Sequence, residues 1–502
     1  MDISSGVIAG FQVALQPNHL FFAFVGVLLG TVVGVLPGLG PVATMSLLLP
    51  VTLSVSPISA IIMLAGIYYG SQYGGSTTSI LVNIPGEASS VITCVDGHMM
   101  ARNGRAGPAL GIAAFGSFIA GTLGVIGLTF IAPPLAELAL KFGPPEYFAL
   151  MVAGLSLISF LASGPFWKAL FMASLGIFLS TIGVDNMTGT TRFTFGILEL
   201  MDGVGFVPVV MGLFGIGEVL INLEQPMAVS MLKTEIKGVL PDLKDWADSI
   251  RPIFRGTILG FLLGILPGGG AVISSFLSYA VEKKISKHPE KFGTGVIEGV
   301  AAPESANNSA TAGAFVPLLT LGIPSNPVMA MLLGALMIHG VQPGPLFLKE
   351  HPEIFWGTIT SMYIGNLMLL VLNLPLIPLW VRFLKIPYRF LFPMILLIVL
   401  LGAYSMNNSV AEVIITIFFG IIGYLCRKFK YDLPPLILAM ILGPMMESAL
   451  RRSLLGSGGD PMIFLTRPIS LVLLMIPLFI FSSSIVPWLR KRKKLLPAEK
   501  FD

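Results

Sequence analysis

The chain has 502 residues, 54% of them hydrophobic and 11% charged, with a mean hydropathy of +0.87 and a formal net charge of +4. A soluble domain carries about 25% charged residues, so this composition excludes an ordinary soluble enzyme and makes lipid the main solvent. Its two cysteines, Cys94 and Cys426, exclude a disulfide framework, and no Cys/His spacing suggests zinc.

In chain order, the N-terminal MDISSGVIAG has no Lys or Arg ahead of its first apolar run, so a retained helix is expected rather than a cleaved signal. Apolar runs recur throughout, for example 107–132, 205–222, 353–380 and 467–488. A crossing helix needs about 20 apolar residues. The expected fold is an all-α polytopic membrane protein with about a dozen transmembrane segments, some of them broken or re-entrant.

The first break is GVLPGLGP at 34–41, and a second, GILPGGGA, stands at 264–271. Gly30, Gly34, Pro37, Gly38 and Gly40 match Gly260, Gly264, Pro267, Gly268 and Gly270 at a constant offset of 230. Further on, LVNIPGE (81–87) faces TLGIPSN (320–326), and RNGRAGP (102–108) faces IHGVQPGP (338–345). Landmarks in the same order argue for an internal repeat. The domains expected are a first membrane repeat at 1–224, an amphipathic cytoplasmic linker at 225–253, a second repeat at 254–488 and a basic cytoplasmic tail at 489–502. Within the linker, LKDWADSIRPIF mixes charged and apolar residues as an interfacial helix does.

Charge gives the orientation. SVSPIS (54–59) corresponds to the basic VEKKISKHPEK (281–291). Lys233, Lys237, Lys244, Arg251 and Arg255 precede the second break and nothing basic precedes the first. Arg102 and Arg105 face only Lys349, while Lys141 faces Arg382, Lys385 and Arg389. The basic excess changes sides at each pair, the pattern of inverted-topology repeats. The N-terminus is expected outside; 225–255, 281–291, 382–389, 427–430 and the C-terminus are expected inside. The terminal LRKRKK (489–494) directly follows a spanning segment, so it reads as a membrane-surface anchor and not a nucleic-acid site.

Broken helix at membrane depth is tolerated only where protein or a wet cavity surrounds it. Proline lacks an N–H, the glycines permit close approach, and a helix N-terminus binds anions. Paired breaks in corresponding halves therefore point to a transport site. Gly38, Gly40 and Ala43 also fit a dinucleotide GxGxxA, but the strand before it and the later acid are missing.

Two polar segments flank the breaks, YYGSQYGGSTTSILVNIPGE (68–87) and EGVAAPESANNSATAGAF (298–315), the latter followed by GIPSNP (322–327). Neither contains Lys or Arg. The candidate substrate-binding residues are Pro37, Gly38, Gly40, Ser76, Thr77, Thr78, Asn83, Pro85, Gly86, Pro267, Gly268, Gly270, Ser305, Asn307, Asn308, Ser309, Pro324, Ser325 and Asn326. Glu304, Glu87 and Glu298 are the candidate ion-coupling acids, because a carboxylate in the bilayer is costly and functional by default. Asp96 follows beside His98, Arg102 and Arg105, a setting that suits a solvated loop charge. No resident metal or cofactor is expected, only co-transported Na⁺ or H⁺.

The stretches GxxxGxLPGLGP, YGGSTTSILVNIPGE and DGHMMARNGRAGPALGIAAFGSFIAG, and the run from the second break through VAAPESANNSATAGAFVPLLTLGIPSN, resemble the large membrane subunit of tripartite tricarboxylate transporters. The resemblance implies a permease of the bacterial inner membrane. It works with a small four-helix membrane subunit and a periplasmic solute-binding protein that delivers an organic carboxylate such as citrate. It also implies uptake driven by an ion gradient without ATP, and the sequence has no GxxxxGK[ST]. The alternative is a self-sufficient ion-coupled carboxylate symporter or exchanger. An intramembrane enzyme is disfavoured, since neither HExxH nor GxSxG is present.

Overall fold

The computed structural model describes residues 2–36, 40–162, 164–185, 187–224, 238–383 and 388–495. Helix α1 (Ile3–Ala14) is capped by Asp2. Helices α2 (Pro17–Val35), α3 (Pro41–Thr52) and α4 (Pro57–Val82) each start on a proline, where its missing N–H costs nothing. A 3₁₀ turn (Ala88–Ser90) leads to α5 (Thr93–Met100), and a π turn joins that to α6 (Ala106–Ala139). Next come α7 (Pro144–Leu161), α8 (Phe166–Ser180) and an antiparallel hairpin of β1 (Gly183–Val184) and β2 (Thr191–Arg192). Helices α9 (Phe206–Val210) and α10 (Gly217–Glu224) flank a π-helical stretch. The second half holds α11 (Leu243–Ile265), α12 (Gly270–Ile285), α13 (Glu298–Leu321), α14 (Pro327–Ile338), α15 (Phe347–Glu350) and α16 (Pro352–Asn373). It continues through α17 (Ile377–Phe383), α18 (Tyr388–Asn407), α19 (Val410–Lys428), α20 (Pro434–Gly456), α21 (Ile463–Thr466) and α22 (Pro468–Leu495).

Among the described residues, six helices are long and apolar enough to cross a membrane: α2, α6, α7, the span Phe206–Glu224, α16 and α19. Six further apolar helices among the described residues are shorter, at Ile3–Ala14, Pro41–Thr52, Phe166–Ser180, Pro327–Ile338, Leu391–Asn407 and Pro468–Ser482. The polar helices α4 and α13 are buried along almost their whole length. Protein rather than lipid surrounds them, so their Ser, Thr and Asn side chains find partners. The expected all-α polytopic membrane fold is what the helices form.

The chain divides into two compact units, Met1–Leu140 with Val204–Phe429, and Lys141–Gly203 with Lys430–Asp502. In the second unit, α20 packs on α8 so closely that a Cβ at Gly176 would stand 2.2 Å from the Leu436 carbonyl oxygen. Beside them Asp185 pairs with Arg192 (3.2 Å) and Arg451 (2.7 Å), and Glu447 pairs with the same two arginines at 2.9 and 2.6 Å. These four line a cleft of about 520 Å³.

The first unit contains the repeat. Cβ atoms built at Gly26, Gly30 and Gly34 of α2 would lie 2.3, 2.6 and 2.2 Å from the carbonyl oxygens of Met63, Ile67 and Ser71 in α4. At Gly256, Gly260 and Gly264 of α11 they would lie 2.4, 2.1 and 2.2 Å from those of Ala302, Ala306 and Ala310 in α13. The same glycines in the two halves thus bring the same helix pairs into backbone contact, as small residues do in membranes. Both polar helices end on a left-handed residue, Asn83 (φ 57°) and Gly322 (φ 70°).

The equivalent helices α4 and α13 run antiparallel. Ser76 meets Glu304, while Tyr68, earlier in α4, faces Thr311, later in α13. Antiparallel equivalents are what inverted halves require. The expected linker lies partly at 225–237, outside the described residues. Its amphipathic portion is the first half of α11, which continues as one helix into the second glycine series.

Candidate functional site

Each half folds its two breaks onto one another. In the first half, a Cβ at Gly86 would stand 1.9 Å from the Gly34 carbonyl oxygen and 2.8 Å from the Gly75 Cα, so only glycine fits. In the second half the Gly268 amide donates to the Ser325 carbonyl at 2.7 Å. The tips that follow are Glu87 and Asn326, equivalent positions in LVNIPGE and TLGIPSN. Both approach Tyr68 of α4: Asn326 Nδ2 donates to its hydroxyl at 3.1 Å, and Glu87 lies near it and beside Gln72. Gln72 is wholly buried; its Oε1 accepts from Ser89 at 2.5 Å, while its Nε2 has no partner among the described residues.

One further turn along α4 stands Glu304, wholly buried in α13. Its carboxyl takes hydrogen bonds from Ser76, Thr93 and Asn307 Nδ2, the last at 3.2 Å. Neither polar segment supplies a Lys or Arg to it. Beyond it, Tyr73 donates to Asn366 of α16 at 2.7 Å, and Asn308 Nδ2 donates to Ser117 of α6 at 2.8 Å. Tyr73, Ser76, Thr77, Ser117 and Asn373 help line a cavity of about 10 Å³, room for about one water.

The remaining sequence candidates divide by helix face. Pro37 and Gly38 lie outside the described residues. Gly40 caps α3 with open space beside it. Thr78 donates to the Val35 carbonyl at 2.8 Å, closing the end of α2. Asn83 is exposed, and its role is the left-handed cap of α4. Pro85 and Pro324 lie inside their breaks, as Pro267 does in its own. Gly270 opens α12 at φ 44°. Ser309 donates to the Thr257 carbonyl of α11 at 2.8 Å, and Ser305 packs between Gly116 and Gly256. Ser305 Oγ and Ser325 Oγ are buried without partners among the described residues. Glu298 is half-buried in the first turn of α13, near Asp248 and Glu282. It is about 9 Å along the helix from Glu304.

Asp96 is not a solvated loop charge: it is wholly buried. Its Oδ1 accepts the amides of Gly293 (2.9 Å), Gly295 (2.8 Å) and Val296 (3.1 Å), and its Oδ2 accepts the Tyr279 hydroxyl at 2.8 Å. The backbone donors expected at the breaks are also fewer than supposed. Gly268 spends its amide on Ser325, and α14 opens with a proline and gives its Met329 amide to Asn326 Oδ1. Sequence reading missed Tyr68, Gln72 and Thr93. The first two share the 68, 72, 76 spacing of one helical face with Ser76, a signal that was available. Thr93 had none.

A helical membrane unit with two breaks meeting around buried polar and acidic groups is the architecture of a membrane transporter. The chain belongs to the tripartite tricarboxylate transporter TctA family, whose model matches residues 20–438. It is 50% identical over 500 residues to an uncharacterized 52.8 kDa protein in the TAR-I ttuC' 3' region of Agrobacterium vitis, covering 99% of this chain and 100% of that one. An uncharacterized protein in the TAR-II ttuC' 3' region of the same organism is 50% identical over 234 residues, 47% of this chain and 97% of its own. No solved structure matches.

Proposed function

We propose that this chain is the large permease subunit of a binding-protein-dependent transporter of organic carboxylates, of the tricarboxylate or dicarboxylate class. It works in the bacterial inner membrane with its N-terminus outside and its C-terminus cytoplasmic. A periplasmic solute-binding protein delivers the carboxylate, a small four-helix membrane subunit completes the assembly, and a Na⁺ or H⁺ gradient drives uptake by alternating access. The observation that carries this reading is the convergence of Glu87 and Asn326, the tips of the two breaks, on Tyr68, one helical turn from Gln72.

The side-chain donors there are the Nε2 of Gln72, which faces the Glu87 carboxyl, and the free hydroxyl of Ser325. Without a basic side chain in either polar segment, a polyanion needs its charge offset by a co-transported cation, which dominates its local field. Glu304 and Glu87 are the groups that would hold that cation.

Membrane vesicles carrying the complete assembly test this reading with a panel of radiolabelled di- and tricarboxylates. The expected result is accumulation that needs the binding protein and disappears when both the Na⁺ and proton gradients are collapsed. Undiminished accumulation without gradients rejects ion coupling. Full uptake by this chain alone favours the self-sufficient symporter.

A further inference from the structure

The hydrogen bonds around Glu304 bear on which cation it holds. Asn308 Nδ2 faces the Glu304 carbonyl at 3.0 Å, and a carbonyl only accepts. That fixes the Asn308 amide and directs the same nitrogen to Asn307 Oδ1 at 2.6 Å. Asn307 therefore turns its nitrogen, not its oxygen, to the Glu304 carboxyl at 3.2 Å. A metal cation would need oxygen there.

The Ser76 hydroxyl touches two acceptors, Glu304 Oε2 and the Gln72 carbonyl at 3.0 Å. A hydroxyl has one hydrogen. Directed at Gln72, it leaves the contact with Glu304 to be made by a proton on the carboxyl. Directed at Glu304, it bonds an ionised carboxylate. The two states share one set of heavy-atom positions and differ by a rotation of one O–H.

The same Ser76 lines the water-sized cavity, together with Asn373, whose buried Oδ1 has no partner among the described residues. Among the described residues, the ionisable groups facing Glu304 are Tyr73 of α4 and Cys94 of α5. Its neighbours α6 and α11 offer hydroxyls and backbone to this part of α13, through Ser117 and Thr257. An ionised carboxylate in such surroundings bears a desolvation penalty of several kcal/mol, and its partners among the described residues, Ser76, Thr93 and Asn307, carry no opposite charge to repay it.

We propose that Glu304 is a proton carrier, so that the coupling ion is H⁺, bound covalently at Oε2 and relayed through the Ser76 hydroxyl. This rests on the ion-coupled permease reading and names its ion. On loading, a proton from the outer solution adds to Oε2. On release, the O–H bond breaks and its electron pair stays on the carboxylate. Ser76 accepts that proton and passes its own hydrogen to water in the adjoining cavity. No electrons are exchanged with a partner.

Infrared difference spectra of the purified chain, wild type minus Glu304→Gln, test this without any substrate. The expected result is a protonated-carboxyl C=O band at neutral pH, equal in Na⁺ and K⁺ buffers. A band that vanishes in Na⁺ alone, or carboxylate bands in both buffers, overturns it. Should Glu304→Gln not fold, Ser76→Ala removes the acceptor of the carboxyl proton and should move the band to higher frequency; an unmoved band overturns the relay. In vesicles with the complete assembly, Glu304→Gln should lose accumulation driven by a proton gradient. Sodium-driven accumulation retained in that variant overturns the proposal. A wild type that exchanges no carboxylate of the panel sinks the permease reading, while the infrared result still decides the protonation of Glu304.

Discussion

Replacing Asp96 by alanine should loosen the segment 292–297 that joins α12 to α13. In the native state its Oδ1 gathers the amides of Gly293, Gly295 and Val296 within 3.1 Å, and Oδ2 holds the Tyr279 hydroxyl at 2.8 Å. Gly293 and Gly295 reach this arrangement at φ 94° and 104°, backbone that other residues resist. Asp96→Ala leaves four donors without their acceptor. Orphaned buried donors cost about 1–3 kcal/mol each, but the loop side can relax toward water, so the net loss is about 3 kcal/mol rather than the sum. Asp96→Asn keeps Oδ1 as an acceptor and should cost less than half as much. Thermal unfolding in detergent measures the loss, and limited proteolysis locates it: cleavage should appear first within 286–297. A fully stable Asp96→Ala protein with that segment uncut would refute the reasoning, because it would mean that the amides find equivalent partners unaided.

Gly260→Ala places a methyl 2.1 Å from the Ala306 carbonyl oxygen, so α11 and α13 must separate. A loss of about 1–3 kcal/mol is expected in the same unfolding assay. The hairpin of the second unit should resist acid. Asp185 is held well below the usual carboxylate range, first by Arg451 and then by Thr188 and the Met187 amide. Its contribution is complete above the unfolded value of about 3.9 and is lost only as pH falls through the lower folded value. Pepsin should therefore spare residues 183–192 until the acid extreme in the wild type and cut them throughout the acid range in Asp185→Asn. Gln72→Leu removes the Nε2 that faces Glu87 and should weaken carboxylate uptake about 10-fold or more, a loss of one charge-assisted hydrogen bond. Uptake kinetics in vesicles check it, and an unchanged half-saturation concentration removes Gln72 from the site.

The breaks were legible because proline and glycine are read directly: each lies between two helices, and the two of each half touch. The polar segments were legible as clusters, since Ser, Thr and Asn in apolar sequence need partners. Which partner each finds was not legible, because α4 and α13 are enclosed on all sides and periodicity marks no buried face. Thr78, Ser305 and Ser309 look like Ser76 in the sequence, yet they serve α2, α6 and α11. Asn83 and Gly322 show the same limit from the other side. One is an amide and the other has no side chain, but the backbone asks both for φ near 60–70° and nothing more. The ion cluster of Asp185, Arg192, Glu447 and Arg451 escaped notice because its members are far apart in sequence.

The register of the repeat explains where Asp96 gets its partners. The first glycine series maps onto the second at an offset of 230, from Gly30 to Gly260. The carbonyls they meet map at 239, from Ile67 to Ala306. The second half has therefore gained nine residues (239 minus 230) between the glycines of its first helix and the carbonyls of its third. In the first half the connection runs only from Leu53 to Ser56; in the second it runs from Ser286 to Ile297. The added chain contains Gly293, Gly295 and Val296, the amides that close on Asp96 from the first half. Two inverted halves built on one plan are thus tied by a feature that only one of them has. If that tie is what holds α5, and with it Thr93, against Glu304, then Asp96→Ala should disturb the proton site as well as the loop. The carboxyl band of Glu304 should shift in Asp96→Ala, and an unshifted band would confine Asp96 to holding the loop.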